Sequence, residues 1–316
     1  MVQKVVLDAL TLGYRHIDTA FIYAGEHTEK EVGEALEIAM TKSSTRETIP
    51  RSDIFLTTKQ WRAYHGYEPT LECLDLSLKR LKVDYVDLYL IHWPGPAYNT
   101  MSKRKDVIEN SQDGAFVYAK DGQEAPNIQA LRAETWRAME DSVYNGKCKA
   151  IGVSNFTIRH LEALRKTARI WPPAVNQIEL HPYNPQTELV EYCKVHGIVI
   201  EAYASLGGQD VGKKRWNELG GKLLDRIEVL DIAKKHGKNP AQILLKWAIQ
   251  QGYIVIPKST NIDHLRENLE IVDKTWALDD DDMKRMSTLN CSKDDTMKEK
   301  SRLCWVRDPL KMLDFE

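Results

Sequence analysis

The stretch TLECLDLSLKRLKVDYVDLYLIH (residues 70–92) contains the two patterns that decide the fold of this chain. In its first half, leucines recur at helical spacing between mostly polar residues, which predicts an amphipathic helix over Thr70–Leu81. In its second half, the apolar run Tyr85–His92 predicts a strand that is covered on both faces, as in a parallel sheet. The stretch is therefore a helix followed by a buried strand.

The same alternation runs through the rest of the chain. Strands are predicted at Tyr14–Thr19, Ile54–Thr58, Tyr85–His92, Ala150–Val153, Val175–Leu180, Val199–Tyr203 and Ile254–Pro257. Helices are predicted at Val2–Leu12, Lys30–Met40, Thr70–Leu81, Ile128–Tyr144, Ile158–Thr167, Pro185–Val195, Leu224–Lys235 with Pro240–Gln250, and Asn261–Ile271. Repeated βα units favour a parallel sheet, either closed as a barrel or open and doubly wound.

Length and composition favour one enzyme-sized domain over residues 1–316, since α/β barrels of this length fold as single units and no shift in composition marks a boundary. Three segments interrupt the βα rhythm: Gly95–Pro126, Leu206–Gly221 and the tail from Cys291 to Glu316. The first two follow strand carboxyl ends, where barrel active sites are built from loops.

Charge and hydropathy exclude several other classes. The 44 basic and 46 acidic residues nearly balance, whereas a nucleic-acid partner requires a basic surface. No stretch approaches the about 20 apolar residues that span a bilayer, and the N-terminus lacks the features of a signal peptide. The five cysteines are scattered without a C-x-x-C pair, which is typical of free thiols in a reducing compartment. We therefore expect a cytoplasmic protein without membrane or nucleic-acid partners.

The sequence lacks a complete motif for either of two common nucleotide-binding folds, the Rossmann fold and the P-loop fold. No G-x-G-x-x-G occurs, so the sequence offers no warrant for a Rossmann dinucleotide site. The stretch Gly207–Lys214 (GGQDVGKK) approaches a P-loop but ends in Lys, where Ser or Thr would hold Mg²⁺. A nucleotide hydrolase remains an alternative that rests on this incomplete motif alone.

Polar side chains stand at the ends of three neighbouring predicted strands. Asp18 ends the first strand, Tyr23 comes five residues later, Lys59 follows the second strand and His92 ends the third. Taken singly, Asp18 could cap a turn, Lys59 could be a surface charge, and His92 and Tyr23 could be core residues. Taken together, they place an acid, a phenol, an ammonium and an imidazole at the sheet edge where barrel catalytic groups converge.

The chemistry of this set is coherent. A phenol has a pKa of about 10, and a nearby ammonium lowers that pKa by stabilising the phenolate. A carboxylate beside the lysine keeps it charged despite burial, and an imidazole can orient a substrate carbonyl by hydrogen bonding. Such a set predicts a general acid for a developing alkoxide.

Motifs along nearly the whole chain resemble the aldo-keto reductase superfamily. The matching stretches are GYRHIDTAFIYAGEHTEKEVGEAL (13–36), FLTTKQW (55–61), DLYLIHWPG (87–95), AIGVSNF (150–156), VNQIELHPY (175–183), EAYASLG (201–207), AQILLKWAIQQGYIVIPKST (241–260) and HLRENLEI (264–271). The chain most resembles fungal glyceraldehyde, xylose and other polyol-linked reductases. The resemblance implies an α/β protein with a (β/α)8 TIM-type barrel that reduces an aldehyde or ketone with NADPH, the substrate being a small polar aldehyde or open-chain sugar.

The resemblance also implies roles for the polar set. Tyr23 would donate the proton, tuned by Lys59, which Asp18 would pair, while His92 would orient the carbonyl. Trp93 would form an aromatic wall of the substrate pocket. Because the hydride would come from a nicotinamide, no metal is expected.

Further residues match the family's cofactor site. Ser154, Asn155 and Gln177 would bind the nicotinamide carboxamide, and Tyr203 would stack on the ring. The residues also have ordinary explanations, since Ser154 and Asn155 could cap a helix and Tyr203 could be barrel core.

The phosphate end of the cofactor is assigned in the same way. Ser205 and Leu206 begin a loop that would fold over the pyrophosphate, Lys258 and Ser259 would hold the adenosine 2′-phosphate, and Asn268 would contact adenine. Lys258 could instead be an ordinary surface charge, although the N-terminus of a helix beside it suits a phosphate.

One departure from the family pattern concerns that phosphate. The usual arginine aligns with His264, and Arg266 lies two residues further on. Arginine presents a permanent fork to phosphate, whereas histidine is mostly neutral at pH 7. The preference for NADPH would thus rest on Lys258, and NADH could also serve.

The other departure concerns the first barrel strand, which family members have ahead of the helix predicted at Val2–Leu12. Seven family strands are predicted here where eight are expected, and a gap in a barrel exposes backbone hydrogen-bonding groups. One alternative is therefore a nucleotide-binding, reductase-like module with impaired catalysis. Another is a fragment that starts at a misplaced codon. As partners we expect a small carbonyl substrate and a monomer or weak homodimer.

Overall fold

The computed structural model describes residues 1–41, 48–95, 126–208, 213–291, 297 and 300–303. They group into two compact units, of which the first is Met1–Asn176 and the second begins at Gln177. Each unit consists of parallel strands with intervening helices, as the sequence predicts.

The first unit alternates helices and strands in chain order. Its elements are α1 (Val2–Leu12), β1 (His16–Asp18), a 3₁₀ turn (Tyr23–Glu26), α2 (His27–Met40), β2 (Phe55–Gln60), α3 (Tyr67–Leu81), β3 (Val86–Ile91), α4 (Pro126–Tyr144), β4 (Cys148–Ser154) and α5 (Ile158–Arg165), with short 3₁₀ turns at Arg51–Asp53 and Arg62–Tyr64. The strands β1 to β4 pair in parallel, each with the next in the chain. Their carboxyl ends therefore lie at one edge.

Local signals in the sequence explain where these helices begin and end. Helix α1 ends at Gly13, which has φ of 109° and so takes the left-handed conformation that glycine adopts without steric cost. Helix α5 begins after Thr157, whose side chain accepts from the backbone N–H of His160 in a capping box. Every residue of β3 is buried, which explains why its sequence is mostly apolar, and its one charged residue, Asp87, pairs with Arg51 and Lys149.

Helices α2 and α3 approach closely at Gly33. A Cβ atom at this position would lie 2.2 Å from the backbone oxygen of Arg80 and 2.9 Å from the Cα of Leu81. Because backbone atoms cannot swing aside, only glycine fits here without moving one helix from the other.

We expect Gly33→Ala to lower the free energy of unfolding by about 1–3 kcal/mol through overpacking, despite the roughly 1 kcal/mol that alanine gains in helix propensity. Urea unfolding of the purified variant measures this. Lys30→Ala, at an exposed position of the same helix, is the control and should stay within about 0.5 kcal/mol of the parent. Equal stability of Gly33→Ala and the parent would contradict the close approach.

The second unit continues the alternation. Strand β5 (Val175–Glu179) begins at the end of the first unit, and the elements that follow are α6 (Thr187–Val195), β6 (Val199–Tyr203), α7 (Lys213–Glu218), α8 (Ile227–His236), α9 (Pro240–Gln250), β7 (Ile254–Val255), α10 (Ile262–Leu269) and α11 (Asp280–Ser287), with 3₁₀ turns at Leu223–Asp225 and Glu270–Val272. Strands β6 and β7 pair in parallel. Asn239 caps α9 and Pro240 occupies its first turn, a combination that fixes the start of this helix.

All seven predicted strands are present, with differences at their ends. Strand β2 runs on to Gln60, so the prediction that Lys59 follows the strand is wrong and Lys59 lies within it. Strand β7 is shorter than predicted because its ladder to β6 covers only Ile254 and Val255. Within the described residues, no strand precedes α1.

Two helices of the second unit were not predicted from the sequence, namely α7 and α11. Helix α7 lies in the segment Leu206–Gly221. The glycines of this segment favour a loop, and the sequence pattern therefore does not predict the short helix. Most of Gly95–Pro126, residues 209–212 and most of the tail after Cys291 lie outside the described residues.

Two further expectations concern membrane-spanning helices and disulfide bonds in the described part of the chain. No helix there is long and apolar enough to cross a membrane. The four cysteines described there form no disulfide. Burial raises the pKa of the Cys73 and Cys148 thiols to about 12, so both stay protonated and unreactive at neutral pH.

Candidate active site

The first unit brings together the polar residues that the sequence placed at strand ends. Asp18 is the last residue of β1, Lys59 lies one residue before the end of β2, and His92 follows the last residue of β3. Tyr23 opens the 3₁₀ turn between β1 and α2. Because β1, β2 and β3 are parallel neighbours, these residues meet at one edge of the sheet.

Lys59 is the centre of this group. Its ammonium Nζ donates to Asp18 Oδ1 at 2.5 Å, to the backbone oxygen of Thr19 at 2.9 Å and to Tyr23 Oη at 3.2 Å. The Lys59 side chain is fully buried and that of Asp18 is 9% exposed. A buried ammonium is stable only when paired, so the Asp18 carboxylate keeps Lys59 charged beside the phenol.

A neighbouring histidine does not compete for Asp18. Burial lowers the pKa of His16, and the nearby Asp18 carboxylate opposes that shift only in part. The His16 imidazole is therefore neutral at pH 7, and its Nε2 lies 3.1 Å from Thr57 Oγ1. Lys59 remains the cation that pairs with Asp18.

Aromatic rings surround His92 beside this ion pair. Its ring centroid lies 5.8 Å from that of Tyr23, edge to face, and 5.8 Å from that of Trp61. The Trp93 ring stacks at 6.1 Å from His92. Tyr23 is 38% exposed, so it is only partly covered by its neighbours. Trp93 is predicted from the sequence as a wall of the substrate pocket, but Trp61 is not. Trp61 directly follows β2, and this position at a strand end is the signal that could have identified it.

Asn155 packs against the backbone of this group. Its side-chain Nδ2 donates to the backbone oxygen of His92 at 2.9 Å and to Ser154 Oγ at 3.1 Å. Its φ of 64° is left-handed, a conformation that asparagine tolerates better than most residues. The cap of α5 is Thr157, so the simple helix-cap interpretation of Ser154 and Asn155 is wrong.

The second unit holds the other residues that were predicted to bind a cofactor. Gln177 Nε2 donates to Glu201 Oε2 at 2.7 Å, and both side chains are buried. Tyr203 is the last residue of β6 and is partly buried. The Ser205 hydroxyl donates to the backbone oxygen of Ala202 at 3.1 Å, and Leu206 follows it, partly buried.

A further set surrounds the start of α10. Lys258 is exposed, and Ser259 Oγ accepts from the backbone N–H of Asn261 at 3.1 Å. His264 is exposed in the first turns of α10, whereas Asn268 is buried near its end. An exposed ammonium beside a helix N-terminus is chemistry that fits a phosphate group.

Arg266 is partly engaged elsewhere. Its guanidinium Nη1 donates to Asp263 Oδ1 at 2.8 Å, and both side chains are exposed. Lys258, by contrast, forms no such ion pair within the described residues. Its ammonium is therefore the cation close in sequence to the cap of α10 that is not already paired with a carboxylate.

The described part of the chain contains no evident metal-binding site. No group of His, Cys, Asp and Glu side chains there is arranged to hold a metal ion. The chemistry available at the first-unit site is that of a phenol, an ammonium, a carboxylate and an imidazole.

Comparisons with known proteins agree with this α/β architecture. The model of the aldo/keto reductase family matches residues 1–290. Glycerol 2-dehydrogenase (NADP(+)) of Saccharomyces cerevisiae is 41% identical over 85% of this chain and 77% of its own length. Aldehyde reductase YPR1 of the same yeast is 40% identical over 90% of this chain and 81% of its own. A solved aldo-keto reductase of Bombyx mori in complex with NADP is 30% identical, covers 91% of this chain and 82% of its own, and has a TM-score of 0.71.

The fold and these comparisons define an oxidoreductase built on the α/β barrel plan. The chain belongs to the aldo/keto reductase family. The predicted fold class, a (β/α)8-type barrel with seven of the family strands present, is confirmed.

Proposed function

We propose that this protein reduces an aldehyde or ketone to the alcohol with NADPH, and that its substrate is a small polar aldehyde or open-chain sugar. The observation that carries the proposal is the contact of the buried Lys59 ammonium with both Asp18 and Tyr23 Oη. That arrangement is suited to a phenol which gives up a proton, because the ammonium stabilises the phenolate that remains.

The proposed mechanism assigns one task to each side chain. When bound, NADPH supplies the hydride. Tyr23 Oη donates its proton to the carbonyl oxygen as negative charge develops there, and Lys59 stabilises the resulting phenolate. Asp18 keeps Lys59 protonated, and His92 orients the carbonyl by hydrogen bonding, with Trp93 as an apolar wall. Bulk water then returns the proton to Tyr23.

The residues suited to the cofactor lie in both units. In the first, Ser154 and Asn155 offer a hydroxyl and an amide next to His92, which suits the nicotinamide carboxamide. In the second unit, the resemblance to the family assigns Gln177 to the carboxamide and Tyr203 to stacking on the ring. The name of the yeast glycerol 2-dehydrogenase includes NADP(+), and the Bombyx mori structure is a complex with NADP. Both support the choice of NADPH.

The adenosine end would be held by the remaining residues. Ser205 and Leu206 would cover the pyrophosphate, and Asn268 would contact adenine. Lys258 and Ser259, with His264 nearby, would hold the 2′-phosphate at the start of α10. The exposed ammonium beside the capped helix supports this assignment.

Steady-state oxidation of NADPH with glyceraldehyde, combined with a fluorescence titration of NADPH, tests the proposal. We expect turnover that requires both NADPH and the aldehyde. Binding of NADPH without turnover on a panel of aldehydes, ketones and sugars would instead favour a reductase-like module with impaired catalysis. The same panel, run with NADH, identifies the substrate class.

We expect Lys258→Ala to weaken NADPH binding at least about tenfold and to leave NADH binding nearly unchanged, because a charge-assisted bond to phosphate contributes about 1.5–3 kcal/mol. Fluorescence titration with both nucleotides measures this difference. Lys274→Ala, at another exposed lysine of the second unit, is the control. Equal losses for NADH and NADPH would show that Lys258 does not read the 2′-phosphate.

Four sequence-based expectations remain part of the proposal. The chain would act as a single domain over residues 1–316, as a monomer or weak homodimer, in the cytoplasm. Its partner would be the small carbonyl substrate, with neither nucleic acid nor membrane involved. Light scattering of the purified chain measures the oligomeric state.

A further inference from the structure

The loop that carries Tyr23 leaves β1 at Asp18 and enters α2 at His27. Two residues in the middle of this loop adopt an unfavourable backbone conformation. Ala24 has φ of 48° and ψ of 44°, and Gly25 has φ of 63° and ψ of 39°, both in the left-handed region. A left-handed alanine persists only where the surrounding structure enforces it. Tyr23 itself is 38% exposed, so the contacts of its ring and hydroxyl supply only part of that constraint.

The start of the loop is held by the backbone of β2. The N–H of Thr19 donates to the backbone oxygen of Thr57 at 2.9 Å, and the N–H of Phe21 donates to that of Lys59 at 3.3 Å. The Lys59 ammonium adds its bond to the backbone oxygen of Thr19. These bonds end two residues before Tyr23.

The end of the loop is held by a buried carboxylate. Glu29, in the first turn of α2, is fully buried, and its Oε1 accepts from Thr58 Oγ1 at 2.7 Å. Its Oε2 lies 3.3 Å from the guanidinium of Arg80 in the last turn of α3. The Arg80 guanidinium in turn lies 4.1 Å from the ring centroid of Phe21, within the loop.

Thr58 and Lys59 are consecutive residues of β2, so their side chains point to opposite faces of the sheet. On one face, Lys59 bonds Asp18, Thr19 and Tyr23; on the other, Thr58 bonds Glu29. The loop from Asp18 to Glu29 is thus attached to one short piece of strand at both of its ends.

We propose that Thr58 and Glu29 are positioning residues that hold Tyr23 Oη against Lys59 Nζ through this two-faced attachment of the loop to β2. The inference rests on the proposed function, because it assigns these residues a task in proton donation by Tyr23. Breaking the Thr58–Glu29 bond would release the end of the loop and let the strained turn relax. The contact between Tyr23 and Lys59 would then be made only part of the time.

Thr58→Val removes the hydroxyl and preserves the shape of the side chain. We expect kcat for glyceraldehyde to fall about tenfold, while KM and the NADPH dissociation constant change by less than about twofold, because alignment and not binding is lost. Thr58→Ser restores the hydroxyl and should return kcat close to the parent. Glu29→Gln keeps an oxygen acceptor for Thr58 and should lose less than Thr58→Val.

Thr70→Val is the matched control. Thr70 is also fully buried, and its hydroxyl donates to the backbone oxygens of Gly66 at 2.6 Å and Tyr64 at 3.0 Å, and not to a side chain of the Tyr23 loop. We expect a similar loss of thermal stability in both valine variants, with kcat reduced only in Thr58→Val. In the protein without ligand, hydrogen exchange of a peptide covering residues 20–28 should be faster in Thr58→Val than in Thr70→Val.

Equal kcat values in the parent and Thr58→Val, or the same loss in Thr58→Ser as in Thr58→Val, would overturn the inference. Unchanged hydrogen exchange over residues 20–28 in Thr58→Val would overturn it as well. Absence of carbonyl reduction by the parent protein would instead refute the proposed function. The exchange measurement would then still decide whether Thr58 and Glu29 hold the loop.

Discussion

Tyr23→Phe is expected to lower kcat by at least about 100-fold and by as much as about 10,000-fold, the range over which a positioned proton donor contributes to catalysis. Phenylalanine keeps the ring that packs edge to face on His92 and removes only the hydroxyl that contacts Lys59. The loss should appear equally in kcat and kcat/KM, because the proton is transferred only in the transition state. Steady-state kinetics with glyceraldehyde and NADPH provide the measurement.

Binding and folding of this variant should remain close to the parent. The NADPH dissociation constant should stay within about threefold, because no bond to substrate or cofactor in the ground state is removed. Tyr144→Phe, at a 68% exposed tyrosine at the end of α4, removes a hydroxyl of the same kind and should turn over like the parent. Unchanged kcat in Tyr23→Phe would refute Tyr23 as the proton donor.

Asp18→Asn is expected to have the second large effect, on stability and turnover together. It leaves the fully buried ammonium of Lys59 without a negative partner, and loss of one partner of a buried ion pair costs about 3–5 kcal/mol. Turnover should also fall, because an ammonium that loses its proton no longer stabilises the Tyr23 phenolate. Urea unfolding and steady-state kinetics measure the two effects.

The double variant Asp18→Asn with Lys59→Met separates these effects. Removing the charge as well as its partner should recover most of the lost stability, because an apolar side chain of similar length fills the space without an unpaired charge. It should not recover turnover, since the phenol then has no cation beside it. A double variant as unstable as Asp18→Asn alone would show that the ion pair is not the cause.

Much of the candidate site could be predicted from the sequence because it depends on strand ends. Asp18 and His92 are where an apolar run meets a polar residue, and parallel neighbours bring such ends to one edge. The sequence predicts that the second strand ends at Thr58, before the polar pair Lys59 and Gln60, yet the β2–β3 ladder extends to Gln60. Strand ends depend on the pairing partner, which the local sequence does not contain.

Other parts of the site depend on contacts between distant residues and gave no local signal. In the sequence, Glu29 directly precedes the helix predicted at Lys30–Met40, and its burial against Thr58 and Arg80 appears only when three elements pack. The bond from Asn155 to the backbone oxygen of His92 likewise requires a left-handed residue that follows β4. Helix α11 was missed because its polar sequence presents few buried apolar residues.

The most direct test of the central claim is transfer of deuterium to glyceraldehyde from NADPH that carries deuterium at both C4 positions of the nicotinamide, followed by mass spectrometry of the alcohol. The account predicts glycerol with one deuterium on the former carbonyl carbon, formed by the parent protein and by Tyr144→Phe but almost absent with Tyr23→Phe. Unlabelled product, or labelled product formed as fast by Tyr23→Phe as by the parent, would contradict it.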